Sequence, residues 1–192
     1  MDVESLSEAF SSTRSVLANV KPDQLDDTTP CRSWTVRQLI DHFIAAPYYG
    51  VGLLETGVGA EVDEDFAAGD YLGAYDATRQ MTLAAFRAEG ALEKTLSFPF
   101  GDIPAGFFLV MVTGDQFVHG WDLARATGQP TDLNPALAER LLQEAVIPDQ
   151  FRGPEGAAPF RSRAAGATGR ACGRPLRRLH GPDGVTPAGG RR

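Results

Sequence analysis

One stretch of the chain, AGFFLVMVTGDQFVHGWDLARAT from Ala105 to Thr127, is apolar on almost every side of a helical projection. A helix with that pattern has little solvent-facing surface, so other elements must surround it. The chain has 192 residues, of which 43% are hydrophobic, and it can therefore form one sizeable core around such a helix. This segment predicts a protein built around a buried central helix.

Two amphipathic helices are predicted before the central one in the first third of the chain. The first has an apolar stripe at helical spacing, with Ser5 and Glu8 as its capping box. The second begins at Thr35, and Gln38 completes its capping box. Pro47 is expected to kink or weaken this second helix, because proline removes a backbone donor.

Two further helices and a short extended segment complete the prediction. Asp70 is expected to cap a third helix, and Asn134 to open a fifth that reaches about Val146. Residues 95–100 suit a short extended piece, followed by a turn at residues 101–104. The fold class is therefore all-α, a four-helix bundle with an additional short helix. Bundles build sites from side chains on facing helices.

The central helix carries a carboxylate and an imidazole at a spacing that suits metal binding. Asp115 and His119 are four residues apart, so on a helix they share one face with Cβ atoms about 6 Å apart. The chain has three histidines, and His42 on the second predicted helix is the expected third ligand. Two imidazoles and one carboxylate suit Zn²⁺, with Fe²⁺, Ni²⁺ or Co²⁺ as alternatives.

Three protein ligands leave one coordination position open, which is typical of catalytic rather than structural zinc sites. The alternative is an ordinary polar pair and a hydrogen-bonded core histidine, with no metal. The metal interpretation gains weight because burying Asp115 in so apolar a helix is costly without a cation or a strong donor. Other templates fit less well, since the chain contains no HExxH, GxGxxG, GxSxG or P-loop motif.

Four residues near these ligands are candidates for supporting roles. Asp122 follows His119 by three residues and is either an acceptor that orients a ligand or a surface or capping carboxylate. Cys31 is either a thiol with a lowered pKa near a helix N-terminus or a small residue packed under Trp34. Trp34 and Trp121 are interpreted first as core packing and second as the lining of a pocket.

Charge divides the chain into two parts. Residues 1–160 contain ten Lys and Arg against 24 Asp and Glu, whereas residues 161–192 contain eight Arg against Asp183. The acidic body argues against a nucleic-acid groove. We predict a helical bundle over residues 1–150, and a Gly-, Pro- and Arg-rich tail over residues 151–192 that has too few large apolar residues to order.

The compartment is predicted from what the sequence lacks. There is no apolar run of about 18 residues and no signal-peptide pattern at the amino terminus, which favours a cytoplasmic protein without membrane partners. The two cysteines, Cys31 and Cys172, are too few for a disulfide framework.

Three segments together resemble a known family. TPCRSWTVRQLIDHF, FPFGDIPAG and GDQFVHGWDLARATGQ are similar to actinobacterial DinB-like metal-binding proteins related to the N-terminal domain of mycothiol-dependent maleylpyruvate isomerase, over roughly residues 5–160. The resemblance implies a DinB/YfiT-like four-helix bundle that holds a divalent metal, usually zinc or nickel, through three side chains. By motif, these are His42, Asp115 and His119. The position of Asp115 is Glu in the isomerase and often His in other DinB-like proteins.

The same resemblance implies thiol chemistry. In such a protein a low-molecular-weight thiol such as mycothiol binds the open metal position as thiolate and attacks an electrophile. We therefore expect a metal-dependent thiol S-transferase or isomerase-like enzyme, whose partners are a small-molecule thiol and an electrophilic substrate, with a homodimer left open. The alternative is a non-catalytic binding or stress-response module stiffened by its metal, and a metal-dependent hydrolase is third.

Overall fold

The computed structural model describes residues 1–31 and 34–144, together with the backbone of residues 152–153 and 160–161. The helices within these residues are α1 (Val3–Leu17), α2 (Val36–Thr56), α3 (Tyr71–Arg87), α4 (Ala105–Ala126) and α5 (Pro135–Glu144). Short 3₁₀ helices lie at Pro22–Gln24 and Phe66–Ala68. The strands are β1 (Thr95–Phe98), β2 (Gly101–Pro104), β3 (Arg152–Gly153) and β4 (Phe160–Arg161). Strands β1 and β2 pair antiparallel, and β3 and β4 pair parallel.

Four helices form the bundle, and the prediction of an all-α fold is confirmed. Helix α4 packs against α1 and α2, while α3 packs against α1 and α2 on the other side. Helix α5 is the additional short helix and packs on α1 and α4. The apolar pattern of α4 is explained by its burial among these neighbours. None of the described helices is both long and apolar enough to cross a membrane.

The start of α2 follows the predicted capping box. The Thr35 hydroxyl oxygen accepts from the Gln38 backbone N–H at 3.5 Å, and Gln38 Oε1 accepts from the Thr35 N–H at 3.0 Å. The predicted cap of α1 is wrong, because Asp2 holds that position. Asp2 Oδ1 accepts from the Ser5 N–H at 2.9 Å, which places Ser5 inside the first turn. The Asp2 carboxylate therefore takes the capping role predicted for Ser5 and accepts from a backbone N–H of the first turn of α1.

The caps of α3 and α5 lie where they were expected. Asp70 Oδ1 accepts from the Gly73 N–H at 2.9 Å, and Asn134 Oδ1 accepts from the Leu137 N–H at 3.0 Å. The predicted end of the fifth helix at Val146 lies outside the described residues. The predicted tail over residues 151–192 also lies outside the described residues, except for the backbone of β3 and β4. Cys172 likewise lies outside them.

The predicted turn at residues 101–104 is wrong, because these residues form β2. Leu96 of β1 pairs with Ile103 of β2, and both side chains are buried. An apolar cross-strand pair of this kind stabilises the hairpin, whose first strand lies within the predicted extended piece and whose second strand was predicted as a turn. Gly101, the first residue of β2 after the two-residue turn, has φ of 130°, a conformation that favours glycine. The hairpin then leads directly into α4 at Ala105.

Two glycines allow neighbouring helices to approach α4 closely. A Cβ added to Gly120 would lie 2.2 Å from Thr13 Oγ1 and 3.2 Å from its Cα, so α1 lies against α4 at this point. A Cβ added to Gly50 would lie 2.0 Å from the Phe108 ring, so α2 also lies close to α4. The second contact seats the Phe108 ring of α4 directly on the backbone of α2, and these are the two helices predicted to carry the ligands.

Candidate metal centre

The structure brings His42, Asp115 and His119 together between α2 and α4. The two carboxylate oxygens of Asp115 face different rings: Oδ2 lies 3.6 Å from His42 Nε2, and Oδ1 lies 3.4 Å from His119 Nε2. One donor atom from each residue lies within 4.8 Å of the other two. The face of α4 that carries Asp115 and His119 therefore lies against the face of α2 that carries His42.

This donor geometry fits a small divalent cation. Ligands at about 2.0–2.2 Å from a tetrahedral Zn²⁺ lie about 3.3–3.6 Å from one another. The two separations in the structure, 3.4 and 3.6 Å, lie within that range. Both imidazoles approach Asp115 through Nε2, which is a common metal-binding nitrogen of histidine. The nitrogen and oxygen donor set suits zinc, nickel or iron better than magnesium or calcium.

Asp122 lies on the other side of the His119 ring. Its Oδ2 is 3.2 Å from His119 Nδ1, and its side chain is 1% exposed. When Nδ1–H donates to this carboxylate, the lone pair of Nε2 faces Asp115. Two negative or electron-rich groups then face each other, and this arrangement requires either a proton or a cation between them. The sequence had left the role of Asp122 open, and its position beside the candidate ligand His119 favours the orienting role.

The electrostatics of the three side chains are those of a site that attracts positive charge. Burial lowers the pKa of His119, but the Asp115 and Asp122 carboxylates outweigh it and raise the pKa to about 9. Burial raises the pKa of the Asp115 carboxyl, but the nearby His119 and His42 rings outweigh it, and the pKa falls well below its usual range. Asp115 is therefore ionised, and a cation would meet a full negative charge.

The two sides of the site differ in access to solvent. The Asp115 side chain is 36% exposed and that of His42 is 18% exposed, whereas that of His119 is 7% exposed. The donor cluster is therefore more open to solvent on the side of Asp115 and His42. Access from the Asp122 side is closed by burial.

Trp34 packs against both imidazoles. Its ring centroid lies 4.4 Å from that of His42 and 5.5 Å from that of His119, and the side chain is buried. Cys31 is also buried, and its Sγ lies 3.3 Å from Asp122 Oδ2 and 3.9 Å from His119 Nδ1. The structure therefore places both of these pocket candidates against the site, Cys31 on the closed side.

Trp121 lies elsewhere on the helix. It lies six positions after Asp115, which is a rotation of about 120° away from the face of the candidate ligands. It is partly buried, and the ring contacts described at the site involve Trp34 and not Trp121. Of the two tryptophans, the structure therefore brings only Trp34 to the site.

Two buried residues near the site were missed in the sequence. Gln116 follows Asp115, and its Nε2 donates to the Phe43 carbonyl oxygen at 2.9 Å. The Tyr75 hydroxyl lies 2.9 Å from Gln116 Oε1. The available signal was a glutamine in an otherwise apolar part of the central helix, because a buried amide needs partners.

The fold and the site together define a class: a helical bundle with a histidine and carboxylate donor cluster between two facing helices. Residues 6–124 match the family described as mycothiol maleylpyruvate isomerase N-terminal domain, which is DinB-like. This match spans more than half of the chain, and the chain belongs to this family. The resemblance carried by its three sequence segments is therefore confirmed.

Two relatives from Mycobacterium tuberculosis are similar to most of the chain. Both are named as uncharacterized proteins, one from strain CDC 1551 / Oshkosh and one from strain ATCC 25618 / H37Rv. Each is 37% identical over 141 residues, which cover 72% of this chain and 75% of the relative. No solved structure gives a significant match to the chain.

Proposed function

We propose that His42, Asp115 and His119 bind one divalent metal, zinc first, with nickel or iron as alternatives. The observation that carries the proposal is the placement of both Nε2 atoms within 3.6 Å of one ionised carboxylate. Without a cation, this arrangement needs a proton held among electron-rich groups, of which the His119 ring is buried and therefore costly to charge without a partner. A metal ion satisfies all three side chains together.

We propose further that the protein is a cytoplasmic, metal-dependent thiol S-transferase or isomerase-like enzyme that uses a low-molecular-weight thiol such as mycothiol. A divalent metal at this site would lower the pKa of a coordinated thiol or water. The support is the family, whose name refers to mycothiol, and the exposed edge of the donor cluster at Asp115 and His42. The electrophilic substrate would approach from that same edge.

The chain's own residues support this chemistry by holding the site rigid. Asp122 fixes the orientation of the His119 ring through Nδ1. Trp34 packs on both imidazoles and covers one side of them, which limits their rotation and excludes water there.

Metal content of the untagged protein tests the first proposal. We expect about one equivalent of divalent metal per chain after gel filtration, and a His119→Ala variant should lose it. The third histidine of the chain provides a matched control, because His180→Ala should keep the full content. Stoichiometric metal in His119→Ala would overturn the site.

Cobalt substitution tests the thiol. Adding mycothiol to the cobalt-loaded protein should produce a thiolate-to-cobalt absorption band, and an S-methylated analogue should not. Consumption of thiol with a panel of electrophiles then tests transfer. Metal binding without a thiol band or thiol consumption would favour a non-catalytic module stiffened by its metal. Hydrolysis without added thiol would instead indicate a metal-dependent hydrolase.

A further inference from the structure

Pro47 creates an unusual acceptor beside the donor cluster. In an α-helix the carbonyl of residue i accepts from the N–H of residue i+4. For Phe43 that residue is Pro47, which lies inside α2 and has no N–H. Phe43 is buried and directly follows His42. Its carbonyl oxygen therefore needs a donor from outside the helix, since an unpaired buried carbonyl is costly.

Gln116 supplies that donor from the facing helix. Its Nε2 donates to the Phe43 carbonyl oxygen at 2.9 Å, and its residue exposure is 0%. Gln116 directly follows Asp115 on α4. The hydrogen bond therefore joins Gln116, which follows Asp115, to Phe43. Phe43 in turn follows His42 on α2. It fixes how α2 and α4 lie against each other at the level of the donor cluster.

Tyr75 and Thr13 hold Gln116 in place from two other helices. The Tyr75 hydroxyl lies 2.9 Å from Gln116 Oε1 and 3.3 Å from the Phe10 carbonyl oxygen, and it has one hydrogen to donate. Burial raises the pKa of Tyr75, so the hydroxyl keeps that hydrogen. Thr13 Oγ1 donates to the backbone carbonyl of Gln116 at 2.7 Å. With Oε1 accepting from Tyr75, the amide directs Nε2 to Phe43.

We propose that Gln116 is a positioning residue that sets the distance between His42 and Asp115, using the acceptor that Pro47 makes available. This inference rests on the proposed metal site. The physical reason is the small tolerance of such sites, since ligand distances vary by only about 0.2 Å. A slip of one helix along the other by a single residue would move His42 by about 1.5 Å. A buried hydrogen bond one residue from each ligand prevents that slip.

The first test compares two apolar variants by chelator competition on the zinc-loaded protein. Gln116→Leu should weaken zinc binding about 10- to 100-fold, the usual effect of losing a residue that supports the ligands. The matched control is Thr78→Val, since Thr78 Oγ1 donates to the neighbouring α2 carbonyl of Ile44 at 3.3 Å. It should lower the melting temperature with no change in the zinc dissociation constant. Unchanged zinc binding in Gln116→Leu would overturn the inference.

The second test separates positioning from simple pairing of the carbonyl. Pro47→Ala restores an N–H that can donate to Phe43 within α2. Combined with Gln116→Leu, it should recover part of the melting temperature lost in the single variant, while zinc binding stays weak. Recovery of zinc affinity together with stability would show that Gln116 only pairs the carbonyl, and would overturn the inference. The double variant also provides a folded protein if Gln116→Leu alone does not fold.

Tyr75→Phe gives an independent measurement. It removes the hydroxyl and keeps the ring that packs edge-on against Phe10 and Phe43. Zinc binding should weaken less than in Gln116→Leu, and the absorption spectrum of the cobalt form should change as the coordination geometry loosens. Zinc binding and a cobalt spectrum identical to those of the wild type would contradict the proposal. If the wild-type protein binds no metal, the proposed function fails, which is a different result.

Discussion

The His119 ring has a carboxylate on each side, and the two carboxylates differ in almost everything except residue type. Asp115 is 36% exposed and also faces His42 on another helix, whereas Asp122 is 1% exposed and lies behind the ring. Both come from α4, within seven residues of each other. The difference in position explains the different roles of the two carboxylates. Asp115, on the exposed side where α2 and α4 meet, suits a metal ligand, whereas Asp122, on the buried side, suits a residue that orients the His119 ring.

Breaking the open side should have the largest effect. Asp115→Asn keeps the shape of the side chain but removes the charge that two imidazoles share. Metal content should fall from about one equivalent to below about 0.1 equivalent per chain. Elemental analysis after gel filtration measures it.

A third carboxylate provides the control for this change. Asp76 pairs with Arg14 between α1 and α3, at 2.6 and 2.7 Å, away from the donor cluster. Asp76→Asn should leave the metal content unchanged. Full metal content in Asp115→Asn would remove Asp115 from the ligand set.

Breaking the closed side should have an intermediate effect. Asp122→Asn leaves an oxygen near His119 Nδ1 but removes the negative charge that polarises the ring. We expect one equivalent of metal at saturation, bound about 10- to 100-fold more weakly in chelator competition. If Asp122→Asn instead lost metal as completely as Asp115→Asn, the two carboxylates would have equal roles and the comparison would fail.

The smallest effect concerns the stability of the metal-free protein. The folded state raises the pKa of His119 from 6.5 to about 9, so it holds the proton more tightly than the unfolded chain. This stabilisation is complete below about pH 6.5 and is lost as the pH rises through about 9. The free energy of unfolding should therefore fall over this interval by at most about 3 kcal/mol, and by less because Asp115 is partly open to water.

Urea unfolding at a series of pH values measures this slope and also distinguishes the two carboxylates. Asp115 makes the larger contribution to the raised pKa, so Asp115→Asn should remove most of the slope and Asp122→Asn less of it. Metal-loaded protein should lack the slope, because the cation takes the place of the proton. A larger reduction in Asp122→Asn than in Asp115→Asn would reverse the assigned roles.

Much of the fold could be predicted because its signals are local. The capping box at Thr35 and the caps at Asp70 and Asn134 lie within three residues of the N–H groups they accept from. The prediction was wrong at α1, where two nearby residues could cap the helix and Asp2 rather than Ser5 does so. The second strand of the hairpin was missed because Ile103 is stabilised by pairing with β1 rather than by its own sequence context.

The candidate site divides in the same way. The spacing of Asp115 and His119 is local and indicated one helix face. The meeting of that face with His42, and the bond from Gln116 to the carbonyl next to it, depend on which helices are neighbours. Such pairings are set by packing over the whole bundle. Pro47 was recognised only as a disturbance of α2, because its effect on a facing helix cannot be seen from spacing alone.

Gly120 limits how this chain can change over evolutionary time. It follows His119, and any side chain there would meet Thr13 on α1 at 2.2 Å. Even the smallest replacement would force α1 away from α4 or strain the packing, at a typical cost of about 1–3 kcal/mol. Gly120 has no side chain that could react or bind, yet its substitution is disfavoured by packing alone. Sequence change in this bundle should consequently be easier on its outer helix faces than behind the histidine.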